Sequence, residues 1–181
     1  MISWFAVKVR TRAEALAELS LTEKCEATFL PTYLECRHYS DRVKSVRAAL
    51  FPGYLFCRFD AERRLPILQT PNVQHVVGDS SGPLPVDDAE IDSLQRVVNA
   101  SDATRPWPFL RSGDRVRIEF GSFAGVEGIL VSEKGRDMLV LSVQLLQRSV
   151  AVQIDRSWVR PPLQYAFRGR DSQVGRSSPA S

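Results

Sequence analysis

The side chains that could act together as a nucleophile and a base are Cys36 and His38. These residues are two positions apart, so on a β-strand they would share a face. Nucleophilic catalysis needs a third group that orients the base, and the sequence places none beside them. No glycine-rich phosphate loop accompanies the pair either. We therefore expect no enzymatic activity and no cofactor.

The cysteines and histidines also predict no metal site. Cys25, Cys36 and Cys57 are an odd number of cysteines without a CxxC spacing, which argues against a disulfide framework and against a zinc site. Two histidines, His38 and His75, are too few for a histidine-based metal cage. We expect the three cysteines to be buried free thiols.

A group of basic side chains could bind phosphate. The stretch RHYSDRVKSVR holds one acidic residue, Asp41, and four basic residues, which are Arg37, Arg42, Lys44 and Arg47. Strand-like runs lie on both sides, so the stretch is predicted to be the tip of a hairpin. Charge alone favours a solvated tip. Contact with nucleic-acid phosphate is the alternative.

Composition and charge are those of an ordinary globular protein. The 181 residues are 44% hydrophobic and 25% charged, which fits one or two small domains. The net charge is +3, and the residues after 98 hold 12 basic side chains against 8 acidic ones. The sequence has no apolar run of about 20 residues, and MISWFAVKVR lacks the pattern of a signal peptide. We expect a cytoplasmic protein with no membrane partner.

The stretch LFPGYLFCRFD, residues 50–60, predicts a strand that is apolar on both faces. Strand alternation points Leu55, Cys57 and Phe59 to one side and the residues between them to the other. A sheet covered by a layer on each side would explain the pattern. A face that docks a partner is the alternative, because Tyr54 and Phe56 are residues that interface cores enrich.

The elements around this stretch predict a domain of about 100 residues that mixes strands and helices. SWFAVKV is a strand, and Thr11 with Glu14 indicates a capping box for a following helix. The other predicted elements are a strand in ATFLPTYLEC, a short helix from Pro66, a strand in VQHVV, and a helix capped by Asp87 or Asp88 with Ile91, Leu94 and Val98 along one stripe.

The residues after 98 change character. NASDATRPWPF has no periodicity and two prolines, so residues 99–109 are predicted to be a linker. From 110 to 161, β-branched alternation with glycine turns predicts a small all-β barrel. Residues 162–181 are rich in Arg, Ser and Gly, and we expect a disordered tail.

Two resemblances follow in the same order as these units. Residues 1–98 resemble the N-terminal domain of the NusG family, through WFAVKV, FLPTY, LFPGYLFCRFD and PVDDAEIDSL. Residues 113–131 resemble a KOW motif, through GDRVRI, the turn GSFAG and Gly128. The resemblance implies an α+β fold in which an α/β sandwich with an antiparallel sheet is linked to an SH3-like all-β KOW barrel.

The resemblance also implies a transcription elongation factor that modulates pausing, termination and antitermination. In the family the first domain binds the clamp helices of the largest RNA polymerase subunit through an apolar patch. The matching residues here are Trp4, Phe51, Pro52, Tyr54, Phe56, Ile91 and Leu94. A core role remains open for four of them, Trp4, Phe51, Ile91 and Leu94.

Two further contacts are implied for the same factor. The hairpin would lie beside upstream DNA, so Arg37, Arg42, Lys44 and Arg47 would meet phosphates or the non-template strand. The barrel would recruit a small-subunit ribosomal protein or the termination factor Rho through the turn that carries Gly121 and Phe123. For Phe123, a plug over the barrel mouth is equally compatible with the pattern.

The form of the LFPGYLFCRFD segment and the compact basic hairpin are closer to specialised antiterminators of the RfaH type than to the housekeeping factor. Some such paralogues hold the second domain as helices, and QLLQRSV could be helical, but the alternation over residues 115–154 predicts a barrel. We expect a monomer. The alternative function is that of a KOW protein bound to the ribosome or to RNA.

Overall fold

The computed structural model describes residues 1–38, 43–101, 103–109 and 113–160, which fold into an α/β unit followed by a β-barrel. The α/β unit is built on an antiparallel sheet with the strand order β2-β5-β1-β6. A further strand, β9, pairs with Trp4 and Phe5 of β1. Its strands are β1 (Ile2–Val9), β2 (Ala27–Phe29), β3 (Thr32–His38), β4 (Val43–Ala49), β5 (Tyr54–Asp60), β6 (Val73–Val76), β7 (Gly78–Asp79), β8 (Gly82–Pro83) and β9 (Pro85–Val86).

The central sheet is covered on both faces, which is one of the two explanations that the pattern of residues 50–60 left open. Leu55, Cys57 and Phe59 of β5 lie in one apolar cluster, which α1 (Glu14–Leu21) and α2 (Leu65–Leu68) cover. Phe56 lies in a second cluster on the opposite face, together with residues of α3 (Asp88–Ala100). Burial of both faces explains why β5 is apolar along its whole length.

The predicted capping box of α1 is wrong. The helix begins at Glu14 after Ala13, and no side chain caps it. Arg12 has a φ of 72°, so the chain turns at this point and Thr11 does not reach the helix end. The Glu14 carboxylate instead accepts a hydrogen bond of 2.8 Å from the backbone N–H of Gly53. The predicted cap of α3 is confirmed, because the Asp87 side chain accepts from the N–H of Ala89 at 2.9 Å.

The segment ATFLPTYLEC is divided between two sheets rather than forming one strand. β2 ends at Phe29 and pairs with β5, whereas β3 begins at Thr32 and pairs only with β4 among the described strands. Pro31 lies between them and has no N–H to donate to a ladder. The predicted hairpin is thus the separate β3–β4 ribbon, and its tip, residues 39–42, lies outside the described residues.

The barrel confirms the predicted all-β unit. Its strand order is β10-β14-β13-β12-β11-β15, and every pairing is antiparallel. The strands are β10 (Arg105–Trp107), β11 (Asp114–Ile118), β12 (Glu127–Glu133), β13 (Arg136–Val143), β14 (Arg148–Gln153) and β15 (Val159–Arg160). Residues 144–147 form a turn, so the first part of QLLQRSV is not helical and the rest belongs to β14.

The predicted linker contains regular structure at its start and in its second half. Helix α3 continues through Ala100, and β10 pairs with β14. Pro106 is accommodated because β10 is at the edge of the sheet, where a missing backbone N–H costs no ladder bond. Trp107 packs against the outer apolar cluster of the barrel, which holds β10 in place.

Candidate functional site

One face of the α/β unit gathers the residues expected to dock a partner. Trp4, Phe51 and Phe56 lie in one apolar cluster with Ile91 and Leu94 of α3. All five are buried, and Phe56 is 0% exposed. Phe56 stacks on Phe29 with ring centroids 6.1 Å apart and meets the edge of Phe51 at 5.8 Å. The structure thus brings these five residues together as a single packed surface.

The turn before β5 fixes the aromatic end of this face. Gly53 has a φ of 79°, a conformation that favours glycine, and a Cβ at this position would lie 3.0 Å from the Nζ atom of Lys8. The buried hydrogen bond from Gly53 to Glu14 anchors the turn to α1. Pro52 is exposed on the same turn, and Tyr54, the first residue of β5, is half-buried.

Tyr54 is in contact with two cations. The Lys8 Nζ atom lies 4.1 Å from the centre of the Tyr54 ring, and the guanidinium carbon of Arg148 lies 5.1 Å from it. Arg148 belongs to the barrel, and its Nη1 atom also donates to the carbonyl oxygen of Pro52 at 3.5 Å. Sequence analysis missed Arg148, because no local pattern connects a barrel strand to a turn 96 residues earlier.

The barrel covers this apolar face. The cluster that contains Phe56 and Leu94 continues into the barrel through Val116, Leu139 and Leu141. Two polar contacts lie beside the apolar ones. The N–H of Gln144 donates to the Oε1 atom of Glu90 at 3.4 Å, and the Nη1 atom of Arg96 donates to the carbonyl oxygen of Ala124 at 3.5 Å.

A cavity of about 460 Å³ remains between α3 and the barrel. Glu90 and Ser93 line it from α3, and Arg115, Glu127 and Ser142 are among its barrel residues. Desolvation raises the pKa of Glu90 above its usual value, and the charge of Asp87 acts in the same direction, while the bond from Gln144 opposes them. The junction between the two units is therefore packed but incompletely filled.

The basic hairpin presents exposed cations on β4. Arg37 and Lys44 are register partners, directly opposite each other near the tip. Lys44 and Arg47 are exposed, and the Arg47 Nη1 atom donates to the Thr32 hydroxyl at 3.4 Å. Arg42 and the side chain of Arg37 lie outside the described residues.

In the barrel turn, the two phenylalanines have opposite exposures. Phe123 is 4% exposed and its ring centre is 6.2 Å from that of Trp158, which matches the plug alternative. Phe120, which sequence analysis missed, is 59% exposed. Gly121 is exposed with a φ of 79°, and a Cβ there would lie 2.8 Å from the Trp158 ring. The partner-binding role of Gly121 and Phe123 stays a prediction.

The residues considered for catalysis do not form a described site. Cys36 is exposed and its Sγ atom lies 3.7 Å from the Ser45 hydroxyl oxygen, while the His38 side chain lies outside the described residues. Within the described ranges, no three His, Cys, Asp or Glu side chains come together as metal ligands. No helix in the described part of the chain is long and apolar enough to span a membrane.

Comparison with known proteins decides the family. A family model described as "Transcription termination factor nusG" matches residues 2–95. The chain belongs to the NusG family. The NusG of Escherichia coli K12 is 33% identical over 126 residues, which cover 65% of this chain and 67% of that protein. The NusG of Helicobacter pylori is 25% identical over 173 residues, which cover 88% of this chain and 98% of that protein.

The solved structures support the fold. A structure titled "Domain interaction in Thermotoga maritima NusG" is 20% identical, with a TM-score of 0.51, and the match covers 89% of this chain and 97% of that one. The E. coli and H. pylori relatives are both named transcription termination/antitermination proteins. The chain is therefore a transcription factor of the NusG family, composed of the family's α/β domain and a KOW-like barrel.

Proposed function

We propose that this protein is an elongation factor that binds RNA polymerase in the cytoplasm and modulates pausing, termination and antitermination without catalysing a reaction. The expected partner is the pair of clamp helices in the largest polymerase subunit. The observation that carries the proposal is the apolar face formed by Trp4, Phe51, Tyr54, Phe56 and the α3 stripe. A factor that bridges the polymerase clamp across its gap would restrain clamp opening and so reduce pausing.

The size of this face suits reversible docking. A large aromatic side chain buries about 150 Å² or more, and each Å² of apolar surface removed from water contributes about 25 cal/mol. Two such side chains supply several kcal/mol before the cost of association is subtracted. Residues at the centre of an interface contribute most, so Tyr54 and Phe56 are the expected anchors.

In this arrangement the barrel competes with polymerase for the same face. The apolar cluster runs from Phe56 into the barrel, and Arg148 contacts both Tyr54 and Pro52. Polymerase docking therefore requires the barrel to leave. The apparent affinity is lowered by the fraction of molecules in which the face is free.

The hairpin and the barrel supply the other two proposed contacts. Lys44 and Arg47 are exposed on β4, which supports a role in holding upstream or non-template DNA through phosphates. The barrel turn that contains Gly121 and Phe123 is the proposed site for a small-subunit ribosomal protein or Rho. The exposure of Phe120 supports it as the direct contact in that turn, with Phe123 holding the turn from beneath.

Polymerase binding can be tested with the barrel held less tightly by working in an Arg148→Ala background, which removes the contacts of Arg148 with Tyr54 and Pro52. We expect the additional change Tyr54→Ala to weaken binding to core polymerase by about tenfold or more, as loss of an interface anchor does. Leu16→Ala is the matched control, because Leu16 is a 63% exposed apolar residue on α1, at the opposite face of the sheet. Affinity would be measured by titration of labelled polymerase, after circular dichroism has shown that each variant is folded.

Equal affinities of the Tyr54 and Leu16 variants would leave polymerase binding as the proposed function but would place the interface away from Tyr54. No binding of any variant would overturn polymerase docking and favour the function of a ribosome- or RNA-associated KOW protein. That outcome would be followed by titration with ribosomal subunits.

A further inference from the structure

The cavity between α3 and the barrel, called the junction cavity below, is large enough to hold a small molecule. Its volume of about 460 Å³ lies within the range of small-molecule sites, which is roughly 300–1,000 Å³. Buried apolar side chains from both units form part of its wall, namely Leu94 of α3 and Val116, Ile129, Val140 and Leu141 of the barrel. The apolar part of a ligand would therefore contact the two units at once.

The charged residues of the junction cavity favour a cation over an anion. Three carboxylates, those of Asp87, Glu90 and Glu127, line it together with the guanidinium groups of Arg115 and Arg117. Arg117 is paired with Glu127 at 3.7 Å, and Arg115 is exposed, so water already solvates its charge. An anionic ligand would have to lie near the carboxylates of Asp87 and Glu90, which would repel it.

Glu90 is the charged group of this cavity that is partly buried without a counter-ion. Its described hydrogen bond is the 3.4 Å one from the N–H of Gln144, and among the described residues no Lys, Arg or His side chain forms an ion pair with it. Desolvation raises its pKa, and the bond from Gln144 is the one effect that lowers it. A desolvated carboxylate is costly when no cation compensates it, and a bound ammonium group would supply that cation.

We propose that the junction cavity binds a small organic cation, consisting of an ammonium group on an apolar body, and that this ligand holds the barrel docked. The ammonium group donates to the Glu90 carboxylate and to the hydroxyl oxygen of Ser93, which lies three residues later on α3 and also lines the cavity. The apolar body lies against Val140 and Leu141. Because both units form the site, the ligand binds the docked arrangement and raises its population.

The consequence for polymerase rests on the proposed function. If polymerase uses the face that the barrel covers, a ligand that favours the docked barrel lowers the apparent affinity for polymerase. Binding of the cation itself needs no polymerase and is measured on the protein alone. Failure of the ligand to bind and failure of polymerase docking are therefore separate results.

The test compares three ligands that share a six-carbon chain and differ in charge, which are hexylamine, hexanol and hexanoate. Each is titrated at neutral pH into the isotope-labelled full chain, and the amide resonances of Ser93 and Gln144 are followed by NMR. We expect hexylamine, which is an ammonium ion at this pH, to bind about tenfold more tightly than hexanol, because hydrogen bonds to a charged group are the stronger ones. Hexanoate should bind more weakly than hexanol.

Two variants identify the group that holds the ammonium ion. Glu90→Gln keeps the shape of the side chain and should abolish the preference for hexylamine over hexanol. Its Gln144 amide resonance before titration would show that the barrel is still docked. Asp92→Asn is the matched control, because Asp92 is an exposed carboxylate on the same helix that does not line the cavity, and it should keep the preference.

Three results would overturn the proposal. Equal affinities for hexylamine and hexanol would show that the cavity selects only for apolar surface. Tighter binding of hexanoate would make Arg115 the anchor and the site one for anions. If none of the three ligands shifts the Ser93 and Gln144 resonances, the junction cavity is not a binding site for small molecules of this class.

Discussion

At the scale of single residues, Glu14 carries an unexpected structural role. The residue is 8% exposed, and its carboxylate accepts the buried hydrogen bond from Gly53, in the turn that leads into β5. Glu14→Ala would leave that N–H without an acceptor, so we expect a loss of about 2 kcal/mol in the free energy of unfolding. Urea denaturation would measure it, with exposed Glu23→Ala as the control. A loss no larger than that of the control would show that the turn is held by other contacts.

The role of Glu14 also shows where sequence reasoning stops. The spacing of Thr11 and Glu14 predicted a local capping box. The Glu14 carboxylate instead accepts from the backbone N–H of Gly53, which is 39 residues away. The two phenylalanines of the barrel turn are a similar case. Phe123 is buried against Trp158, which lies on a later segment, whereas Phe120 stays exposed. Residue types and short spacings indicated which side chains were important, but the long-range partner decided what each one does.

At the scale of elements, the β3–β4 hairpin is the part of the chain that we propose binds nucleic-acid phosphates. Lys44→Ala with Arg47→Ala should weaken binding to a transcription-bubble DNA and lower the slope of log affinity against log salt by about one unit per lost phosphate contact. The matched control is Lys134→Ala with Arg136→Ala, two exposed cations at a barrel turn. Titrations at several salt concentrations would give the slopes. Equal slopes for the hairpin and control variants would remove the hairpin from the nucleic-acid interface.

Strands and helices were predicted best where both faces of an element have a regular pattern. The alternation in β5 predicted correctly that Leu55 and Phe56 belong to different apolar clusters. β10 was missed because the prolines around Trp107 are typical of a linker. Only its position at the sheet edge, which depends on pairing with β14, makes a proline compatible with a strand.

At the scale of the whole molecule, the sequence predicted the two units but not their contact. Each unit has its own periodicity, so the α/β unit and the barrel could be recognised separately. The contact depends on pairs such as Tyr54 with Arg148 and Glu90 with Gln144, which come together only after both units have folded. The same surface that was expected to bind polymerase is thereby covered by the barrel. The quantity to measure is therefore the fraction of molecules in which the barrel is docked.

The junction between the units should respond to pH through Glu90. Its pKa is raised from a usual value of 4.5, chiefly by desolvation, so the docked arrangement binds a proton more tightly than the open one. Docking is therefore favoured below the usual pKa and weakens as the pH rises through the raised one. Arg115, Arg117 and Glu127 also line this cavity.

The amide resonance of Gln144, which donates to Glu90, would report this change in an NMR titration between about pH 4.5 and 7.5. We expect the wild type to shift toward the open position as the pH rises. Glu90→Gln, which cannot lose a proton, should stay docked over the whole range. Glu18→Gln is the control, because Glu18 also has a raised pKa but bonds to Leu30 within the α/β unit. If the Glu90 variant titrates like the wild type, another group controls the junction and Glu90 only fills it.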